Sequence, residues 1–142
     1  MNYKIEQMDI SHYQELSELW QSTENVGLSA SDSQEGIAAF LARNPGLSFV
    51  ATIESEIVGS ILAGHDGRRG YLYHLAVERA HRNRKIGRQL VECALEQLRL
   101  AGIQKCHLMI FRQNETGKTV WRKMGWDLRH DIDIMSKQLN SR

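Results

Sequence analysis

Apolar and polar positions along the chain change period several times, and each change marks an element. Tyr3 to Met8 alternates weakly and predicts a first strand. Tyr13, Leu16 and Trp20 then recur at helical spacing. Asp9 or Ser11 opens that helix, Ser11 with Gln14 forming a capping box. Residues 21–31 carry no period and read as a loop. Asp32 and Glu35 stand where they would cap a second helix with Ile37, Phe40 and Leu41 on its buried side, and Asn44-Pro45-Gly46 stops it. Leu47 to Ile53 and Ile57 to Gly64, joined by Glu54, Ser55 and Glu56, predict an antiparallel hairpin.

His65 to Gly70, HDGRRG, reads as a turn into a strand over Tyr71 to Val77. The helix after it has the clearest pattern in the chain. Ile86, Leu90, Val91, Ala94, Leu95, Leu98 and Ala101 share one face, and Arg88, Glu92, Glu96 and Arg99 the other. Gly102 ends it, with Ile103 placed for the contact of a Schellman cap. Lys105 to Phe111 predicts a strand, reached by a right-handed parallel crossover. Asn114 caps a short helix carrying Val120, Trp121 and Met124, and Gly125 ends it. Trp126 to Arg129 and Ile132 to Leu139 predict a closing antiparallel pair. The sum is one α/β (α+β) domain over residues 1–142, with a mixed, mostly antiparallel central sheet of about seven strands and helices on both faces.

Composition narrows this little: 42% hydrophobic and 25% charged residues are ordinary for a soluble domain of 142 residues. No apolar run approaches the roughly 20 residues of a membrane span. The start, MNYKIEQMDI, lacks the apolar region of a signal peptide, so a cytoplasmic location is expected. Cys93 and Cys106 lack a Cys-x-x-Cys spacing and read as reduced thiols, and the scattered histidines predict no metal site. Charge changes the picture more. The net +1 hides two Lys/Arg against ten carboxylates in residues 1–66, a balance of −8, and sixteen against seven afterwards, +9. An acidic first half suits a cationic acceptor and a basic second half an anionic ligand; the same charges also suit the solvated faces of ordinary helices.

The basic charge concentrates between the strand at Leu72 to Val77 and the helix at Ile86, where Arg79, Arg82, Arg84, Lys85 and Arg88 fall within ten residues together with His81. A loop that feeds a helix here turns unpaired N–H groups and the positive helix end toward one point, a candidate anion site.

These residues resemble the cofactor loop of the GNAT superfamily of N-acetyltransferases, an Arg/Gln-x-x-Gly-x-Gly/Ala pattern after a Val that ends the fourth strand. Arg82, Asn83, Arg84, Lys85, Ile86 and Gly87 fill it, with Lys85 where the family usually has its first Gly. Asn114 followed by Trp121-Arg122-Lys123-Met124-Gly125-Trp126 is similar to the family's Asn-x-x-Ala…Tyr-x-Lys-Leu-Gly-Phe segment, with Gly117 in place of the Ala, and Met135 to Leu139 to its last strand. HDGRRG resembles a bacterial subgroup of uncharacterised acetyltransferases. The order of elements is similar to the GNAT fold over essentially the whole chain.

The resemblance implies acetyl-CoA as co-substrate, held where strands 4 and 5 splay apart. The pantetheine arm would pair with the backbone of Leu75, Ala76 and Val77, and the pyrophosphate would accept N–H bonds from Arg82, Asn83, Arg84, Lys85, Ile86, Gly87 and Arg88. Gly87 would allow close approach, and Lys85 is expected to take right-handed geometry or to shift the loop. Asn114 would bind the pantetheine arm besides capping its helix, and Gly117 would leave the cofactor room. Trp121 stands where the family commonly has a Tyr acid, and indole supplies no proton. The amine's proton needs an acceptor, for which the candidates are His74, Tyr73, Glu24, His65 and Asp66. His74 has the ordinary pKa best suited to the task, and a strand places Tyr73 and His74 on opposite faces.

The expected function is acetyl transfer to a primary amine of a small molecule or peptide, by direct attack in a ternary complex. Trp121 and Lys85 motivate an alternative, a non-catalytic acyl-CoA binding or sensing domain. A nucleic-acid interface would need aromatics to stack beside the basic cluster, and none lies between Arg79 and Arg88. Neither nucleic acid nor membrane is an expected partner. Dimers are frequent in similar proteins, which leaves a homodimer open.

Overall fold

The computed structural model describes residues 2–139, and the chain divides into two compact units, Met1–Met109 and Ile110–Arg142. In the first unit β1 (Lys4–Gln7), β2 (Phe49–Ile53), β3 (Glu56–His65), β4 (Gly70–Val77) and β5 (Cys106–Leu108) form one sheet in sequence order. The first four pair antiparallel; β4 and β5 are parallel. Between β1 and β2 lie α1 (Tyr13–Gln21) and α2 (Gln34–Arg43), and α3 (Ile86–Leu100) crosses from β4 to β5.

β3 is buried from Ile57 to Gly64, which is why IVGSILAG reads as a continuous apolar run: it is covered on both faces. On one side Ile86, Leu90, Val91, Ala94 and Leu98 of α3 bury most of the face the periodicity predicts; Leu95 is half-buried, and Ala101, past the end of the helix, is exposed. A Cβ on Gly59 would stand 3.1 Å from Leu90, tighter than an ordinary contact, so the strand and helix approach closely where glycine stands. On the other side Leu16, Leu19 and Trp20 of α1 and Ile37 of α2 join Met8, Val50, Leu62 and Ala76 in the main core. Each large aliphatic side chain among these contributes roughly 1.5–3 kcal/mol by leaving water.

Local chemistry sets the ends. Asp9, not Ser11, caps the entry to α1: its carboxylate accepts from Ser11 N–H at 2.9 Å while His12 Nδ1 accepts from Asp9 N–H at 3.0 Å. Ser33, not Asp32, caps α2, its Oγ accepting from Gly36 N–H at 3.0 Å. The β2–β3 turn places Glu54 and Ser55 both at positive φ, as a tight hairpin requires. Gly102 at φ +87° closes α3, with Ile103 N–H on the Leu98 carbonyl at 3.0 Å.

Three expectations are corrected here. The sheet has five strands among the described residues, not about seven, because Trp126 to Arg129 and Ile132 to Leu139 form no ladder. Ile132, Ile134, Met135 and Leu139 stand in solvent, Met135 at 96% and Leu139 at 87% exposure, while Trp126 and Leu128 are half-buried without a ladder; alternation yields a strand only where a partner accepts its hydrogen bonds. The fifth strand is also shorter than Lys105 to Phe111: Cys106–Leu108 pairs with Gly70–Leu72 and ends there. No splay of two long strands is seen. Beyond Leu72, β4 simply has no strand partner on that edge among the described residues.

Candidate active site

Ser60 lies opposite Ala76 and Leu62 opposite Tyr73, so three steps along β4 answer two along β3. This β-bulge is occupied by His74 at φ +51°, a left-handed backbone that costs a non-glycine residue about 1–2 kcal/mol. The bulge also corrects the expectation that Tyr73 and His74 face opposite ways. Tyr73 packs edge-on to Phe40 at 6.1 Å between ring centres, and His74 edge-on to Trp20 at 4.9 Å, so both meet the layer built by α1 and α2.

Three contacts fix His74. Its Nε2 lies 2.6 Å from Asp32 Oδ1, its ring meets Trp20, and its carbonyl accepts from Ser60 Oγ at 2.9 Å. Ser60 in turn accepts from Trp20 Nε1–H at 2.9 Å, fully buried. No partner for His74 Nδ1 is found among the described residues. Ser60→Ala leaves the indole N–H without an acceptor, and a stability loss of about 1–3 kcal/mol is expected. Urea denaturation followed by tryptophan fluorescence measures it, and a loss below about 0.5 kcal/mol would contradict the buried triad.

The other base candidates are otherwise engaged. Burial, with Tyr71 and Cys106 nearby, pushes the Tyr73 phenol above its ordinary range, so it stays protonated at neutral pH. The Asp66 carboxylate accepts from the N–H groups of Arg69 and Arg68, each at 2.8 Å, and these hold its pKa below the usual range. His65 Nδ1 accepts from Gly67 N–H at 3.0 Å. Both residues therefore shape the β3–β4 turn. Glu24 holds Arg82 at 2.7 Å and Arg79 at 3.1 Å, and the Arg82 hydrogen bond brings its carboxyl down to about 2. A group that acidic is a poor proton acceptor near neutrality. Glu24 instead ties the α1–α2 loop to the loop after β4.

That loop runs through a one-turn 3-10 segment, Arg79–His81, into α3. Arg82 does not turn its guanidinium outward: Nε donates to the Val77 carbonyl at 2.9 Å and the other nitrogens hold Glu24. Asn83 at φ +67° and Lys85 at φ +65° are both left-handed, which corrects the right-handed geometry expected of Lys85. Lysine accepts here the strain that glycine would avoid. The consequence is a run of backbone N–H groups, Asn83 through Arg88, with no protein acceptor among the described residues; helical bonding begins with Gln89 N–H to Lys85. Arg84 and Lys85 are exposed and take no ion pair among those residues. The Ile86 side chain is core, so only its N–H is offered. A Cβ on Gly87 would meet Val77 no closer than 3.6 Å, so the protein's own packing does not demand glycine there.

Of the β4 residues expected to meet a ligand, Ala76 is buried in the core and Leu75 and Val77 flank Gly87. Glu78 N–H bonds the Val58 carbonyl and Val77 lies opposite Gly59, so alternation turns Val77's own N–H and C=O to the unladdered edge. The Val77 carbonyl is taken by Arg82.

Asn114 and Trp121 belong to the second unit. Asn114 Oδ1 caps α4 (Glu115–Lys123) by accepting Gly117 N–H at 2.9 Å. A Cβ on Gly117 would lie 2.4 Å from the Asn114 amide, so that glycine is explained by the cap rather than by room for a cofactor. Trp121 packs edge-on against Trp126 at 5.2 Å. A concavity of about 410 Å³ in this unit, lined by Arg122, Trp126 and His130 among others, includes none of the expected site residues. No group of three His, Cys, Asp or Glu suited to a metal ion, and no helix long and apolar enough to cross a membrane, occurs among the described residues.

Sequence reasoning missed Asp32, Trp20 and Ser60 as partners of His74. Each is distant along the chain, and none carries a local signal beyond its part in a cap, a helix stripe or a strand.

Residues 13–126 match the Acetyltransferase (GNAT) family. Acetyltransferase SG1711 of Sodalis glossinidius (strain morsitans) is 31% identical over 108 residues, 76% of either chain. Among solved structures, the paia N-acetyltransferase of Thermoplasma acidophilum in complex with coenzyme A superposes with a TM-score of 0.79 at 23% identity, over 94% of each chain. AAC(6')-Iy in complex with the bisubstrate analogue CoA-S-monomethyl-acetylneamine superposes with a TM-score of 0.76 at 17% identity, over 98% of this chain and 100% of that one. Fold and matches together define an acetyl-CoA-dependent acyltransferase. The chain belongs to the Acetyltransferase (GNAT) family.

Proposed function

We propose that the protein moves the acetyl group of acetyl-CoA onto a primary amine by direct attack, with His74 as the proton acceptor. The observation that carries this is the run of amides from Asn83 to Arg88 with no protein acceptor among the described residues, which follows the 3-10 turn after β4, whose edge beyond Leu72 has no strand partner among those residues. Amides of this kind at a helix start suit a pyrophosphate, and Arg84 and Lys85 add charge beside it. The β4 edge around Leu75 and Val77 offers backbone groups to an extended pantetheine arm.

Acetyl-CoA, when bound, supplies an activated thioester. The chain supplies the rest: amides that orient the donor, and an imidazole that takes the proton as the amine nitrogen bonds to the acyl carbon and the carbon–sulfur bond breaks. The thiolate leaves and is protonated by water, since Trp121 has no proton to give. For the acceptor we favour a cationic small molecule or a peptide amine. The −8 balance of residues 1–66 supports that reading, as does the acetylneamine part of the bisubstrate analogue bound by AAC(6')-Iy.

Free thiol released from acetyl-CoA across aminoglycosides, polyamines and lysine or N-terminal peptides tests this, with calorimetric titration of coenzyme A alongside. Release above the amine-free background with at least one class is expected. Tight coenzyme A binding with no release on any amine would favour the non-catalytic binder, and no binding would remove the donor site.

A further inference from the structure

Asp32 ends a one-turn 3-10 segment, Ala30–Asp32, and its carboxylate is fixed before His74 is considered. Oδ2 accepts from Ser29 N–H at 2.9 Å, Asp32 N–H bonds the Ser29 carbonyl at 3.0 Å, and the Asp32 carbonyl accepts from Tyr13 Oη–H at 2.7 Å. With one oxygen and the backbone held, Oδ1 points at His74 Nε2, 2.6 Å away. Both side chains are largely withdrawn from solvent, at 11% and 14% exposure, so water competes little for the contact.

We infer that Asp32 is a positioning residue that fixes the tautomer of His74. This rests on the reading of His74 as the proton acceptor. An ionised carboxylate only accepts, so the neutral ring carries its hydrogen on Nε2 and leaves the lone pair on Nδ1, the nitrogen for which no partner is found among the described residues. The ring is kept from turning over by Trp20 on its edge and by the bulge that anchors its backbone. Asp32 thus selects which nitrogen receives the amine's proton.

The geometry makes asparagine an informative replacement. In Asp32→Asn the Ser29 N–H still requires an acceptor, which holds the amide oxygen on its side and turns the NH2 toward His74 Nε2. Nε2 must then accept, the hydrogen moves to Nδ1, and the lone pair faces the wrong way. Shape and hydrogen-bond count barely change.

The test is long-range ¹H–¹⁵N correlation on full-length protein labelled at histidine, at about pH 8.5, above the ordinary imidazole pKa of about 6.5. The His74 signals are assigned by their loss in His74→Gln. Expected are the Nε2–H tautomer in the native protein and the Nδ1–H tautomer in Asp32→Asn. In the same variant kcat should fall at least about 100-fold while KM for the amine stays within about threefold. An Nδ1–H tautomer in the native protein overturns the inference without any variant having to fold. An unchanged tautomer, or an unchanged kcat despite a switched one, overturns it equally. Tautomers as expected in a native protein that acetylates no amine support the Asp32 assignment and defeat the transfer reading alone.

Discussion

Replacing His74 by alanine is expected to lower kcat for acetyl transfer by about 10²–10⁴-fold while leaving coenzyme A affinity within about threefold of the native value. The separation follows from the structure. His74 sits in the β4 bulge with Trp20 and Asp32, whereas the unpaired amides run from Asn83 to Arg88. A side chain that takes a proton from the attacking amine acts on the chemical step and not on donor binding. Alanine also removes the contact to Asp32, so some stability, on the order of 1–2 kcal/mol, goes with it. The assay belongs well below the variant's melting temperature, with coenzyme A titrated by calorimetry on the same preparation. A kcat within threefold of native would remove His74 from the chemistry. Its left-handed backbone would then serve only to turn the strand. Tyr73, Glu24 and Asp66 are poor substitutes, one phenol held protonated and two carboxylates held acidic by their hydrogen bonds.

Gly87→Val should do the reverse: coenzyme A binding weakened by on the order of 100-fold, with thermal stability close to native. A Cβ at Gly87 meets Val77 at 3.6 Å and Leu75 at 4.0 Å, ordinary contact distances, so the fold can accept a larger residue. Glycine is moreover a poor helix former, by about 1 kcal/mol against alanine, and stands here in the first turn of α3. A glycine that neither conformation nor packing requires is best explained by something outside the chain that approaches its backbone. Two branched methyls should keep a pyrophosphate from the N–H groups of Ile86, Gly87 and Arg88. Losing one or two charge-assisted hydrogen bonds at about 1.5–3 kcal/mol each accounts for the size of the effect. Titration calorimetry with coenzyme A and with dephospho-coenzyme A measures it. Unchanged affinity for both would place the pyrophosphate elsewhere.

Strong periodicity carried over well into structure. The stripe from Ile86 to Leu98 became the buried face of α3, and the hairpin between Ile53 and Glu56 turned where two residues at positive φ permit it. The basic loop was legible because its residues are contiguous and chain order alone sets an array of amides at a helix start. Less was legible where a residue had two possible employers. Asp32 has the composition of a cap, yet Ser33 takes the cap and frees Asp32 for a histidine forty-two positions away. Arg82 was expected to lend its N–H to a pyrophosphate, yet that N–H bonds the Arg79 carbonyl at 3.4 Å and its guanidinium ties Val77 to Glu24. The closing strands were read from alternation, which describes one strand's faces and says nothing about whether a second strand stands beside it.

The sequence by itself determined the helices, the central hairpin and the amide-lined turn before α3, because these depend on neighbours within a few residues and on the burial of contiguous apolar faces. Only the tertiary structure decided that Tyr73 and His74 share a face, that Glu24 pairs with Arg79 and Arg82, and that Asp32 and His74 meet. A single extra residue in one strand reverses the alternation on which any sequence reading of faces relies. A hydrogen bond between distant side chains exists only once the sheet has brought their elements together.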